Sequence, residues 1–209
     1  MKSKKAKTAR FKIQRRLLTE LPGLGKAGAL ERRPYPPGQH GGKRIKYSDY
    51  RLQLEEKQKI KFHYDVKEEQ LLRFVKKAKA SSASGKWIES LVNLLERRLD
   101  NIVFRSGVAT SIASAKQLVS HGKILVNGEK VDIRSFIVNI GDEIQVKSDA
   151  LLNQVVLQAQ QSPRLPLPDW LEKISTDQKI TVKLKDQPNL ESIPFAFEEA
   201  LVTSYYSKV

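Results

Sequence analysis

Apolar positions recur at helical spacing up to Gly122 and then shift to short alternating runs, so the chain predicts helices first and strands afterwards. Ser48 is a favourable cap for a helix from about Asp49 to Phe62. Asp65, with Glu68 in a capping-box position, predicts the start of a second. In that helix Leu71, Leu72, Phe74, Val75 and Ala78 cover one side, while Arg73, Lys76 and Lys77 gather on the other. Ser81, Ser82, Ala83, Ser84 and Gly85 read as a linker. Ile88, Leu91, Leu95, Leu99 and Ile102 then repeat helically towards Ser106 and Gly107, and Ser111 caps a helix that Gly122 stops.

After Gly122, Ile124 to Val126 lead into Asn127-Gly128, the strongest short hairpin signal, followed by Val131 and Ile133. Phe136 to Val138 predict a further strand, Gly141-Asp142 a turn, and Ile144 and Val146 the next strand. Residues 151–161 have helical content that Pro163, Pro166 and Pro168 interrupt. Trp170 and Leu171 are expected to pack back on the sheet, Ile180, Val182 and Leu184 to form an edge strand, and the stretch from Phe195 to Tyr206 to dock through an amphipathic face. The fold class is α+β: a mainly helical first part with an extended arm over Lys2–Arg16, then two helices and a small antiparallel sheet. Between the arm and Ser48, Leu21-Pro22-Gly23-Leu24-Gly25 and the Pro- and Gly-rich stretch from Arg32 to Arg44 predict turns and loops.

Charge changes the picture. Of 38 Lys and Arg against 23 Asp and Glu, residues 1–79 hold 23 basic and 8 acidic side chains, whereas residues 80–209 hold 15 of each. The entire excess of +15 therefore lies in the first part. Such a concentrated field favours a polyanion, because each phosphate neutralised releases condensed counterions. Catalytic and metal chemistry find little support. There is no Cys, and His40, His63 and His121 stand far apart without paired carboxylates at ligand spacing. Gly23, Gly25 and Lys26 lack the Walker spacing, and Ala27 stands where that loop needs Ser or Thr. Asp100 is expected to pair with Arg97 rather than to act as a catalytic acid. No apolar run approaches the roughly 20 residues that span a bilayer, and no signal core follows the basic start, so a soluble, unsecreted protein is expected.

Three groups of residues then point to a family. Pro37-Gly38-Gln39-His40-Gly41, Ser48-Asp49-Tyr50 and Leu54 with Glu56-Lys57-Gln58-Lys59 resemble the amino-terminal domain of the ribosomal protein S4 family. Leu95, Glu96, Arg98, Leu99, Asp100 and Asn101, with Gln117 to His121 and Val126-Asn127-Gly128, resemble the RNA-binding module named after it. Tyr206-Ser207-Lys208 is similar to the family's end. The resemblance implies a non-enzymatic component of the small ribosomal subunit that binds its RNA early in assembly and influences accuracy near where messenger RNA enters. Neighbouring ribosomal proteins, and messenger RNA at that channel, are the other partners implied, with no membrane, small-molecule substrate, cofactor or metal. It further implies that the module, residues 93–185, is inserted into a helical domain formed by residues 1–92 and completed by 186–209. The arm and the pair His63-Tyr64 look more like plastid or cyanobacterial versions, favouring a plastid stroma slightly over a bacterial cytoplasm. Bacterial relatives often carry Arg where Ile112 stands, which shifts expected load to Lys116 or Lys123. The same module is appended to RNA-modifying enzymes and to heat-shock and ribosome-rescue proteins, but the former need a catalytic domain and the latter do not need the motifs from Pro37 to Lys59.

Candidate RNA contacts follow. In the arm they are Lys2, Lys4, Lys5, Lys7, Arg10, Lys12, Arg15 and Arg16, and in the loop Arg32, Arg33, Gln39, His40, Lys43 and Arg44. The helices add Tyr50, Arg51, Lys57, Lys59, Arg73, Lys76 and Lys77. The module adds Arg97, Arg98, Arg105, Ser111, Lys116, Gln117, His121 and Lys123. Shape and backbone contacts are expected to dominate, since the deep groove of A-form RNA excludes side chains. The module alone carries 8 basic and 6 acidic residues over 94–147, so the earlier segments must supply most of the attraction.

Overall fold

In the computed structural model, which describes residues 9–43, 46–82, 86–176 and 179–207, part of the expected extended arm is helical. Helix α1 (Arg10–Leu17) buries Ile13 and Leu17 against Leu21. Its pattern of isolated apolar residues among cations is enough for one buried stripe. Gln14, fully buried, fastens the following turn: its Oε1 accepts from Leu21 N–H at 3.1 Å and its Nε2 donates to Lys26 O at 3.0 Å. A 3₁₀ turn (Pro22–Leu24) and the short α2 (Ala29–Arg32) follow, and residues 33–43 are irregular, as their Pro and Gly content requires.

Helix α3 (Asp49–His63) starts where Ser48 Oγ accepts from Arg51 N–H at 3.3 Å. The next cap differs from expectation. Asp65 takes a left-handed φ of 47° and forms part of the turn, while Gln70 Oε1 accepts from Lys67 N–H at 3.2 Å and opens α4 (Glu68–Ser81). Trp87, Ile88 and Leu91 of α5 (Trp87–Glu96) share one core with Leu71, Val75 and Ala78 of α4. Ser81 and Ser82 thus close a helical hairpin and do not link separate bodies. Ala83, Ser84 and Gly85 lie outside the described residues.

The single long helix expected up to Ser106 is two. Arg98 is extended, so α5 ends and α6 (Leu99–Arg105) begins afresh. The cause is tertiary: Leu99 N–H donates to Phe136 O at 2.8 Å and Val138 N–H to Arg97 O at 3.0 Å. Phe136 to Val138, expected as a strand of the sheet, make only an isolated bridge through Ile137 to Arg98. Ser111 begins α7 (Ile112–Ser120).

The strands are β1 (Ile124–Val126), β2 (Glu129–Lys130), β3 (Glu143–Val146), β4 (Leu171–Thr176) and β5 (Lys179–Leu184), antiparallel in the order β2-β1-β3-β5-β4. Asn127 and Gly128, with φ of 51° and 85°, make the tight β1–β2 turn that requires left-handed backbone. Helices α8 (Ser148–Leu151) and α9 (Gln154–Gln161) separate β3 from β4. The expected edge strand β5 is internal, lying between β3 and β4, and β4 is the edge. Only Leu171 of β4 is buried, so its sequence lacks an alternating signal. A 3₁₀ turn (Leu190–Ser192) leads to α10 (Glu199–Tyr206), which returns to α3: Gln53 Nε2 donates to Ser204 Oγ at 2.9 Å, and Tyr206 meets Trp87 edge-on in the core. One hydrophobic cluster runs from Ile60 to Tyr206.

Candidate nucleic-acid interface

Whether a cation can meet a phosphate depends on what the fold already asks of it. In α1 and the loop after it, Lys12, Arg16, Arg32, Arg33, Gln39, His40 and Lys43 are exposed. Arg10 donates to Leu24 O at 2.9 Å. Arg15 donates to the carbonyls of Tyr35 and Pro36 and lies 5.1 Å from the Tyr35 ring, stiffening a loop without internal structure. Lys2, Lys4, Lys5, Lys7 and Arg44 lie outside the described residues.

On α3 the candidates divide. Tyr50 is 60% exposed, and Arg51 pairs with Glu55 at 2.8 Å beneath Tyr47. Lys57, expected on RNA, is 4% exposed and bonded to Glu68 at 2.7 Å, while Lys59 is drawn to Glu56. Both serve the packing of α3. Arg73, Lys76 and Lys77 on α4 are exposed and have no ion pair among the described residues.

In the module most candidates face inward. Glu96 is fully buried, with Tyr64 Oη donating to its Oε1 and Asn101 Nδ2 to its Oε2 at 2.7 Å. Burial holds its carboxyl above the usual range, opposed by Arg105 and the two hydrogen bonds. Arg105 is consumed here: its Nε stands 3.5 Å from Glu96 and its Nη2 donates to Ser192 O at 2.8 Å. Arg98 grips Asp100 through two hydrogen bonds of 3.0 and 2.6 Å, with 3% and 1% of the two side chains exposed. Asp100 therefore pairs with Arg98 and not with Arg97, which donates to Val138 O at 2.8 Å and Asn139 Oδ1 at 2.7 Å. The change of helix axis at Arg98 is what turns it inward. Lys116 spans back to the α3–α4 turn, bonding the carbonyls of Tyr64 and Asp65 and the Asp65 carboxylate. Ile112 is fully buried, so no cation-sized surface exists there. Lys123 pairs with Asp149 at 2.7 Å, leaving Gln117 and His121 as exposed candidates.

Ser111 is only 3% exposed, and its Oγ accepts from Ser114 N–H at 3.2 Å, so its work is the α7 cap. Ser111→Ala is expected to cost about 1 kcal/mol of unfolding free energy while leaving RNA affinity unchanged. Chemical denaturation and filter binding on the same preparation check this, and a binding loss without a stability loss would return Ser111 to the interface.

Exposed cations that the sequence did not single out include Lys26, which lies 5.2 Å from the Phe11 ring, with Lys46, Lys67, Lys79 and Arg134. Arg134 stands close to Asp132, and that local neutrality hid it. Among described residues, exposed charged side chains number 12 basic and 3 acidic before residue 80, against 6 basic and 9 acidic after it. Folding thus sharpens the asymmetry of the sequence, because the module's cations are the ones it turns inward.

Residues 4–96 match the family model described as Ribosomal protein S4/S9 N-terminal domain, and residues 97–144 match the model described as S4 domain. The chain is 62% identical over 205 residues to small ribosomal subunit protein uS4B of Bdellovibrio bacteriovorus, covering 98% of each. It is 42% identical over 201 residues to uS4 of Methylobacillus flagellatus, covering 95% of each. With uS4 of Rhodococcus erythropolis the identity is 44% over 195 residues, 93% of this chain and 94% of the relative. These relatives are bacterial and lend nothing to the plastid preference.

Proposed function

Since the chain belongs to the ribosomal protein S4 family, we propose that it is a non-catalytic structural component of the small ribosomal subunit in a bacterial cytoplasm. It binds small-subunit ribosomal RNA directly, nucleates assembly of the subunit body, and sits near where messenger RNA enters, among neighbouring ribosomal proteins. Residues 1–92 and 186–209 act as a helical, RNA-wrapping part, and 93–185 as the module that fits RNA shape. The observation carrying this reading is the surface imbalance of 12 basic to 3 acidic side chains before residue 80. Lys12, Arg16, Arg32, Arg33, Lys43, Arg73, Lys76 and Lys77 supply attraction, while Gln117 and His121 on the module supply contacts to backbone and 2′-hydroxyls.

If about six phosphates are neutralised, log K against log salt falls with a slope of about −4 to −5. Filter binding of a small-subunit RNA fragment between low and moderate salt measures it. Replacing Arg73, Lys76 and Lys77 together by Gln flattens the line, whereas a slope near zero in the unmodified protein would remove the electrostatic basis of the proposal. Sedimentation with ribosomes tests the assembly role, which requires stoichiometric retention on the small subunit.

A further inference from the structure

Arg98 and Lys116, although engaged in internal ion pairs, both form part of the wall of one polar cavity of about 500 Å³. It lies between the start of α4, the start of α6, α7 and the loop that follows β2. Lys67 and Arg134 line it from its exposed side, and Asp65 and Asp132 are the two carboxylates of the lining. Four cations thus face two acids, and Asp65 is already bonded to Lys116 at 3.2 Å.

The deeper wall has an unmet demand. Asp100 takes Nε and Nη2 of Arg98, leaving Nη1 as a buried donor without a hydrogen-bond partner among the described residues. A buried guanidinium nitrogen without an acceptor is costly, and an oxyanion against the Arg98 wall would offset its charge. Burial is also the largest influence on Lys116, holding its ammonium below the usual lysine range in spite of Asp100 and Asp65. The volume is ample for a tetrahedral oxyanion with ordered water, which needs about 30 Å³ per molecule.

We infer that this cavity is an oxyanion site, in which a phosphate group meets Arg98 and Lys116 at the wall and Lys67 and Arg134 at the mouth. The inference rests on the RNA-binding reading for its preferred source, a backbone phosphodiester. Free inorganic phosphate carries the same chemistry and is the other source. The site gives Arg98 and Lys116 two tasks, since the ion pairs that fix them in the core also hold them against the cavity.

The test uses the full chain and two variants that leave the Arg98–Asp100 pair untouched. Ser120→Asp sets a carboxylate on the lining one helical turn from Lys116, and Arg134→Gln removes an exposed cation. Arg134→Gln keeps the test decisive if Ser120→Asp fails to fold by circular dichroism. Inorganic phosphate, compared with chloride at equal ionic strength, is expected to raise the melting temperature of the unmodified protein and to raise that of the variants less. Filter binding is expected to show an RNA affinity about tenfold weaker in the variants, with a salt slope shallower by about one. A phosphate effect with unchanged RNA affinity supports the site with the free anion as its ligand. An RNA effect without a phosphate effect supports it with the phosphodiester. If the unmodified protein binds RNA, and neither variant changes that binding or the response to phosphate, the site is overturned. Failure of the unmodified protein to bind RNA refutes the proposed function instead, and the phosphate measurement then decides the site alone.

Discussion

Arg98→Ala is expected to lower the free energy of unfolding by about 3 to 5 kcal/mol, the cost of leaving one member of a buried ion pair without its partner. Asp100, 1% exposed, would be left among the described residues with Lys116, 3.8 Å away, and the backbone N–H of Asn101 at 2.9 Å. Arg98→Lys should recover little, because an ammonium cannot reproduce two parallel hydrogen bonds at 3.0 and 2.6 Å. The double variant Arg98→Ala with Asp100→Ala should lose less than the two single losses together, which urea denaturation of the four proteins measures as a coupling energy. A single-variant loss under 1 kcal/mol would mean that the pair adds little to the stability of the junction whose break the Phe136 carbonyl imposes.

The second large effect is one of pH. Gly23 N–H donates to His63 Nδ1 at 3.3 Å, so the ring is neutral with its proton on Nε2, wholly buried beside Tyr64 and Phe195. A second proton would have to displace that hydrogen bond. Burial, assisted by the Arg105 charge, lowers the His63 pKa from 6.5 to about 3. The unfolded chain therefore binds a proton below pH 6.5 that the folded chain refuses until about pH 3, and stability falls with pH throughout that window. The loss from this group is about 2 kcal/mol by pH 5 and about 4 to 5 kcal/mol by pH 3, and none of it is felt above pH 7. Glu96, held above the usual carboxylate range, takes up its proton in the fold early and acts in the opposite sense. Comparison with His63→Asn isolates the effect, since Asn retains an acceptor for Gly23 but does not titrate. Equal pH profiles for the two proteins between pH 6.5 and 5 would show that the His63 environment is not the cause.

These two residues also mark how far the sequence could be read. Where a signal is local, as in the Ser48 and Ser111 caps, the Asn127-Gly128 turn and the apolar stripe of α4, element and residue were both legible. The helix break at Arg98 was not, because its cause is a segment 38 residues away, Phe136, whose carbonyl takes the Leu99 N–H. The regular spacing of Leu95, Leu99 and Ile102 survives the break, since both helices face the same core. The cationic part of the candidate interface was legible as composition, and the roles within it were not. Lys57, Arg98, Arg105 and Lys116 have the same chemistry as Arg73 and Lys76, and only the position of Glu68, Asp100, Glu96 and Asp65 in space separates the two groups.

The return of α10 to α3 has a consequence in time. Gln53 and Ser204 are 151 residues apart, so at about 5 to 20 residues per second the ribosome needs about 8 to 30 s to deliver the second after the first. Tyr206, which packs edge-on against Trp87, arrives later still. Once Trp87 and the rest of α5 are made, the core they share with α10 stays open for the remainder of that interval, and a nascent chain with exposed Trp87 and a dense cationic front is most prone to wrong partners. Rapid translation of the last third, or shielding of the earlier helices by the polyanion they attract, would shorten that exposure.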